Sequence, residues 1–212
     1  MPRMRHKKML LSLSIAAILG VAAVWFCTGD ENTDASNHSI NTSEILHSLS
    51  KIPLKSGDLI LRHGNGVWSN LIREKNFSDK RFSHIGILVK ENGNLFVVHA
   101  DCDAVGNGSV RKDYLEDFLK NTHRIGIFRL KTADADTAVK IATPFVGVAF
   151  DRKFKLDDSS ELYCSELIYL AMKNTFPRFT PKTIELCGQK IIPVDALISA
   201  EYTVELFDSG AK

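Results

Sequence analysis

The chain has 212 residues, 44% of them apolar, 25% charged and 8% aromatic, with 27 Lys plus Arg against 25 Asp plus Glu. This composition excludes intrinsic disorder, a collagen-like repeat and, with four cysteines, a disulfide-dense scaffold. A polytopic membrane protein is also excluded, and a single domain of roughly 150 to 200 residues is the default at this length.

Arg3, Arg5, Lys7 and Lys8 precede an uncharged, mostly apolar stretch from Met9 to Phe26, the pattern of a basic n-region followed by a hydrophobic h-region. Residues 1–27 therefore read as a signal peptide or membrane anchor, with cleavage, retention and lipid attachment at Cys27 all left open. The positive-inside rule keeps the basic end in the cytoplasm and exports the rest to the periplasmic or extracytoplasmic face. That segment holds four cations and no acids, so the remainder carries 23 Lys plus Arg against 25 Asp plus Glu, a net of −2. Such a balance offers no basic footprint for nucleic acid. Residues 28–50, rich in Asp, Asn, Ser and Thr, read as a polar linker ending in a helical turn from Ser43 to Leu49, with Ser43 as N-cap. Asn-X-Ser/Thr sequons occur at Asn37, Asn41, Asn76 and Asn107.

Residues 51–212 read as one α+β domain with a mostly antiparallel sheet packed against helices. The stretch from Gly57, GDLILR, is β-prone and runs into a turn cluster at His63-Gly64-Asn65-Gly66. A short amphipathic segment from Val67 to Arg73 and a polar loop follow. His84 to Val89 and Leu95 to Ala100 flank Asn92-Gly93, a strong hairpin signal. Apolar residues at Tyr114, Leu115, Phe118 and Leu119 predict a helix over Val110 to Asn121. Ile125 to Leu130 predicts a strand, and Asp134 to Thr143 a helix stopped by Pro144. Glu161 to Asn174 predicts the clearest helix, and two late strands lie near Ile191 and from Tyr202 to Phe207.

Two places carry chemistry. With Asn92-Gly93 at the hairpin centre, Gly86 faces His99 and His84 faces Asp101. Period-two alternation then puts these four residues on one face. The histidines become diagonal neighbours, near enough to hydrogen-bond, and Gly86 leaves room between them. The second place is Cys164, at the start of the best helix, where backbone N–H groups and the macrodipole favour a thiolate. Asp157, Asp158 and Glu161 oppose it, so a neighbouring imidazolium has to win. Cys102, Cys164 and Cys187 cannot all pair, which flags a free thiol, and Cys164 is the nominee. Cys102 and Cys187 are expected to be buried and unbridged. A metal site from His63, His84, His99 and Cys102 matches no zinc spacing, and neither a metal nor a cofactor is expected.

Gly57-Asp58-Leu59-Ile60, Ser83-His84-Ile85-Gly86-Ile87, Val97-Val98-His99-Ala100, Phe150-Asp151 with Phe154, Tyr163-Cys164-Ser165-Glu166-Leu167, and Ile192-Pro193 with Asp195 occur in that order. From about Pro53 to Phe207 the chain resembles the circularly permuted papain-like amidases, the YiiX/YaeF-like group of the NlpC-type cysteine peptidase superfamily. The order His before Cys is what permutation implies. The resemblance implies a permuted papain-like domain with Cys164 as nucleophile, His84 as general base and His99 as the third, orienting residue. An acidic residue is often found at that third position. His99 departs from it and is similar to the two-His lecithin:retinol acyltransferase-like relatives. Asp101 is the alternative third member. Tyr163 is a candidate supporting or oxyanion residue beside the Cys164 N–H, while Asp58 and Glu166 are read as fixing the local fold. The chemistry implied is amide hydrolysis through a thioester, on cell-wall-type peptides in an exported protein. Lipid acyl hydrolysis or transfer, and a catalytically silent binding module, are the alternatives.

Overall fold

Alternation along the central strands decides the architecture. The computed structural model describes residues 40–210, apart from 65–66, 103–107, 157 and 187. The signal or anchor segment, Cys27, Cys187 and most of the polar linker lie outside the described residues.

An eight-stranded sheet forms the centre. In chain order its strands are β1 (Leu59–Gly64), β2 (His84–Glu91), β3 (Asn94–Cys102), β4 (Gly108–Tyr114), β5 (Thr122–Leu130), β6 (Ala149–Phe150), β7 (Glu161–Leu162) and β10 (Thr203–Asp208). They are ordered β10-β5-β1-β2-β3-β4-β6-β7, antiparallel throughout except for the parallel pair β6 and β7. A separate hairpin joins β8 (Ile184–Leu186) to β9 (Gln189–Ile191). Odd and even positions divide cleanly between two cores. Leu59, Leu61, Ile85, Ile87, Val89, Val98 and Ala100 enter one core, together with α4 (Ala135–Ala142) and α5 (Cys164–Thr175). Ile60, Leu88, Val97, Ile125 and Ile127 enter the other, with α1 (Thr42–Leu49) and α3 (Leu115–Leu119). The remaining helix, α2 (Val67–Glu74), follows β1. Among the described residues no helix is long and apolar enough to cross a membrane.

The hairpin takes the expected register, from Glu91↔Asn94 to Ile87↔Val98. Asn92 (φ 49) and Gly93 (φ 83) both adopt the left-handed conformation a two-residue turn demands.

Several boundaries differ from the sequence pattern. The helix predicted over Val110 to Asn121 is a strand followed by a five-residue helix: the apolar positions from Tyr114 onward satisfy a helical period, but Val110 to Asp113 pair with β3. The strongest helix begins at Cys164, because Glu161 and Leu162 pair with β6 instead. The first helix is capped by Asn41, whose Oδ1 accepts from the Ser43 N–H at 3.1 Å. Its Ile45 and Leu49 are buried in the second core. Asn76, one of the sequons, is buried, and its amide donates to the carbonyls of Asp79 and Phe82, so the folded chain offers no room for a glycan there.

Leu49 is 1% exposed, which makes α1 a piece of the core. Truncating it to Ala is expected to cost about 2 to 5 kcal/mol in urea unfolding; a cost near zero would return this segment to the tether.

Candidate active site

Three elements bring the chemistry together. β1 supplies Arg62, β2 supplies His84, and β3 supplies His99 and Asp101. The alternation that sends Leu88 and Val97 to the second core sends His84 and His99 the same way. The ring of Phe118, from α3, stands 5.0 Å from that of His99 and 5.8 Å from that of His84. Gly86 is required between them: a methyl group there would come within 2.5 Å of Val97 Cγ1 and 3.1 Å of His99 Cβ.

His84 Nε2 and His99 Nδ1 are hydrogen-bonded at 2.9 Å. The other nitrogen of His99, Nε2, lies 3.0 Å from Asp113 Oδ2. Asp101 stands further off, 4.0 Å from His99 Nδ1. Its Oδ2 accepts from Arg62 at 2.9 Å and from Arg111 at 3.1 Å, and its Oδ1 from the Cys102 N–H at 3.0 Å. Arg111 also reaches Asp113 Oδ2 at 3.2 Å. The candidate third residue, His99, is thus the one bonded to His84, while Asp101 is engaged by guanidinium groups.

Cys164 is the first residue of α5, a helix in the opposite core. The sheet itself resolves this difference. The β2–β3 ladder ends at Ile87↔Val98, and one turn of the pleat earlier the Ile85 N–H bonds the Cys164 sulfur instead. The thiol therefore sits against the backbone of the residue that follows His84, and the Ser165 N–H bonds it as well.

The electrostatics favour a neutral resting pair. Burial pushes the Cys164 thiol up to about 11, with a further push from Asp101 against the pull of the Ile85 N–H. Asp101 is an opposing carboxylate that the sequence expectation did not include; Asp157 lies outside the described residues. Burial also holds His84 well below the usual imidazole value, although Asp101 opposes the shift. His99 is lowered by burial too, against its bond to Asp113. Burial alone would raise Asp101, but the positive groups around it hold it below the usual carboxylate value.

A narrow, largely apolar cleft opens beside the thiol, lined among others by Ile72, Phe154, Leu186, Ile191 and Val194. Among the described residues Lys75 is its single charged lining residue. Tyr163 forms part of this wall. The Ile192 N–H donates to its hydroxyl at 3.2 Å, while Ser165 Oγ donates to the Ile192 carbonyl at 2.6 Å, so the strand end is clamped to the start of α5. Asp195 accepts from the Ser78 and Asp79 N–H groups and ties the loop after α2 to the same wall. Asp58, buried, is bonded twice by Arg129, a structural role as expected.

The donor atoms of His84, His99 and Asp101 lie within 4.8 Å of one another. They do not suit a cation, since Asp101 already carries two guanidinium bonds and the two imidazoles bond each other. Among the described residues His63 joins no such group, and it bonds Asn70 Oδ1, beside the ring of His123. Cys102 is half-buried at the end of β3.

Sequence reasoning missed Asp113, Arg62 and Arg111. No apolar alternation marks Val110 to Tyr114, and the helical reading of that stretch concealed the strand that carries Asp113.

A family model described as permuted papain-like amidase enzyme, YaeF/YiiX, C92 family, matches residues 53–204. No curated protein matches the sequence. Among solved structures the chain is similar to the crystal structure of metalloprotein yiiX from Escherichia coli O157:H7, with 17% identity and a TM-score of 0.60, covering 72% of this chain and 96% of that one. At that identity the likeness establishes the fold.

Alkylation of Cys164 by iodoacetamide, followed on its own peptide by mass spectrometry, is expected to keep accelerating with pH toward about 11. A rate that levels off near neutral pH would reveal a resting thiolate instead.

Proposed function

The chain belongs to the permuted papain-like amidases of the YaeF/YiiX family, and we propose that it hydrolyses an amide bond through a thioester on Cys164. The observation that carries this reading is the thiol at the start of α5, bonded by the N–H next to His84, with His84 in turn bonded to His99. His84 takes the thiol proton as the sulfur attacks the carbonyl carbon. The C–N bond then breaks, and His84 returns that proton to the leaving amine. Water, deprotonated by His84, next cleaves the thioester, releasing the acid and restoring the thiol. The Cys164 N–H is the proposed oxyanion donor. Tyr163 supports it from the wall of the cleft, its hydroxyl engaged with the Ile192 backbone.

The proposed setting is the outer face of a membrane, supported by the four cations and uncharged stretch of residues 1–27. Cell-wall-type peptides suit that setting. The cleft favours a second reading, an acyl lipid, because its lining is apolar and, among the described residues, a stem peptide's carboxylates would meet Lys75 alone. A silent binding module is the third. Incubation with stem peptides and with phospholipids, each compared with Cys164→Ala, separates them. Wild-type turnover of one class, lost by about 10³-fold or more in the variant, is expected. Absence of both turnover and iodoacetamide sensitivity rejects the enzyme.

Two conditions sharpen the test. His84 accepts a proton only when neutral, and its lowered pKa keeps it neutral through mildly acid pH. The acid limb of kcat/KM is therefore expected well below 6.5, the ordinary imidazole value. Dialysis against a chelator is expected to leave turnover unchanged; loss restored by a divalent cation would overturn the metal-free mechanism.

A further inference from the structure

Two imidazoles joined by one hydrogen bond can hold their protons in either direction. With one donated proton between them, His84 is the donor and keeps Nδ1 as a free base, or His99 is the donor and the His84 base becomes a proton carrier. Nothing within the pair chooses. The choice comes from the far end of the chain of bonds.

We propose that Asp113 is the positioning residue that makes this choice, leaving Nδ1 of His84 as its basic nitrogen. A carboxylate only accepts hydrogen bonds. Asp113 Oδ2 lies 3.0 Å from His99 Nε2, so that nitrogen carries the His99 proton. In a neutral ring Nδ1 is then bare and must accept, which obliges His84 Nε2 to donate across the 2.9 Å contact. His84, neutral in turn, has its proton on Nε2 and its lone pair on Nδ1. Burial favours the neutral form of both rings, in keeping with this assignment.

The carboxylate that looks nearer in sequence cannot do this. Asp101 has Oδ1 on the Cys102 N–H and Oδ2 on Arg62 and Arg111, and stands 4.0 Å from His99 Nδ1. Its position would favour the opposite arrangement, with the His99 proton on Nδ1, so the two acids compete and the guanidinium groups decide between them. They occupy Asp101, while Arg111 at 3.2 Å also helps keep Asp113 ionised. Asp113 occupies its place because β4 pairs with β3 in the register Val97↔Asp113, which sets it diagonally across from His99 on the same face. The charged groups around the pair are thus Arg62 from β1, Asp101 from β3, and Arg111 and Asp113 from β4.

The proton arrangement is read without substrate, by nitrogen-15 NMR of histidine-labelled protein. Wild-type His84 and His99 are both expected to carry the proton on Nε2. In Asp113→Ala the two arrangements should mix, kcat should fall by about 10²-fold with KM little changed, and Asp113→Glu should recover most of the loss. A wild-type proton on Nδ1 of His84, or unchanged tautomers in Asp113→Ala, overturns the assignment. If Asp113→Ala does not fold, the wild-type spectrum alone decides. The kinetic arm rests on the hydrolase reading, whereas the spectra do not. Failure of Cys164→Ala to abolish turnover therefore refutes the hydrolase, and a wrong tautomer refutes the role of Asp113.

Discussion

The hydrogen bond between His84 and His99 constrains everything assembled around it. Two imidazoles this close repel if both are charged and bond if both are neutral, so the surroundings have to keep them neutral and oriented. Phe118 covers both rings and supplies the low-dielectric side. The same ring lies under the Arg62 guanidinium, 4.7 Å from its carbon, and the Phe118 carbonyl accepts from Arg62 at 2.9 Å. Arg62 is thereby fixed at a point where it bonds Asp101 and, by its charge, helps hold both imidazoles neutral. Removing Phe118 would loosen the ring pair and the guanidinium together, so a short five-residue helix has a large effect on the site.

A second constraint is topological. The imidazoles belong to one face of the sheet and the nucleophilic thiol to a helix on the other, and an intact antiparallel ladder would keep them apart. The end of the β2–β3 pairing at Ile87↔Val98 removes that barrier. Backbone donors released from a ladder are costly when buried, and the Ile85 N–H is satisfied by sulfur, a weaker acceptor than a carbonyl. The clamp of Tyr163 and Ser165 on Ile192 holds α5 in that position from the opposite side.

Much of this was legible in the sequence wherever local rules fixed long-range geometry. Asn92-Gly93 determines a two-residue turn, the turn determines the register, and the register places His84, Gly86 and His99 on one face with no tertiary information needed. Cys164 at a helix start was legible from its neighbours, although β7 moved the helix boundary to Cys164 itself. Asp113 was not legible, because the apolar residues from Tyr114 to Leu119 fit a helical period that hid the strand before them. Arg62 could have been assigned to the histidine face only by knowing that β1 lies beside β2 in the register Arg62↔His84, which local sequence does not encode. The cleft draws Ile72 together with Leu186 and the stretch from Ile191 to Val194 across more than a hundred residues of chain, and no pattern within either segment announces the other.

The electrostatic balance then explains how a buried site of this kind can work. Helix-start amides alone would favour a thiolate, yet burial and Asp101 outweigh them and leave a protonated thiol at rest, while burial keeps the His84 base neutral. Such a pair carries no net charge into the apolar core at rest, which avoids the desolvation cost of a buried ion pair. Charge separates only when the sulfur attacks, and at that moment the imidazolium forms at the head of a chain that runs through His99 to an ionised carboxylate. Asp101, held by Arg62 and Arg111, contributes a negative potential near the same ring without taking its proton. The arginines temper that potential, so the thiol is not driven still further from ionisation. The arrangement thus places its fixed charges behind the base, where they stabilise the transient imidazolium, and leaves the side facing the cleft apolar.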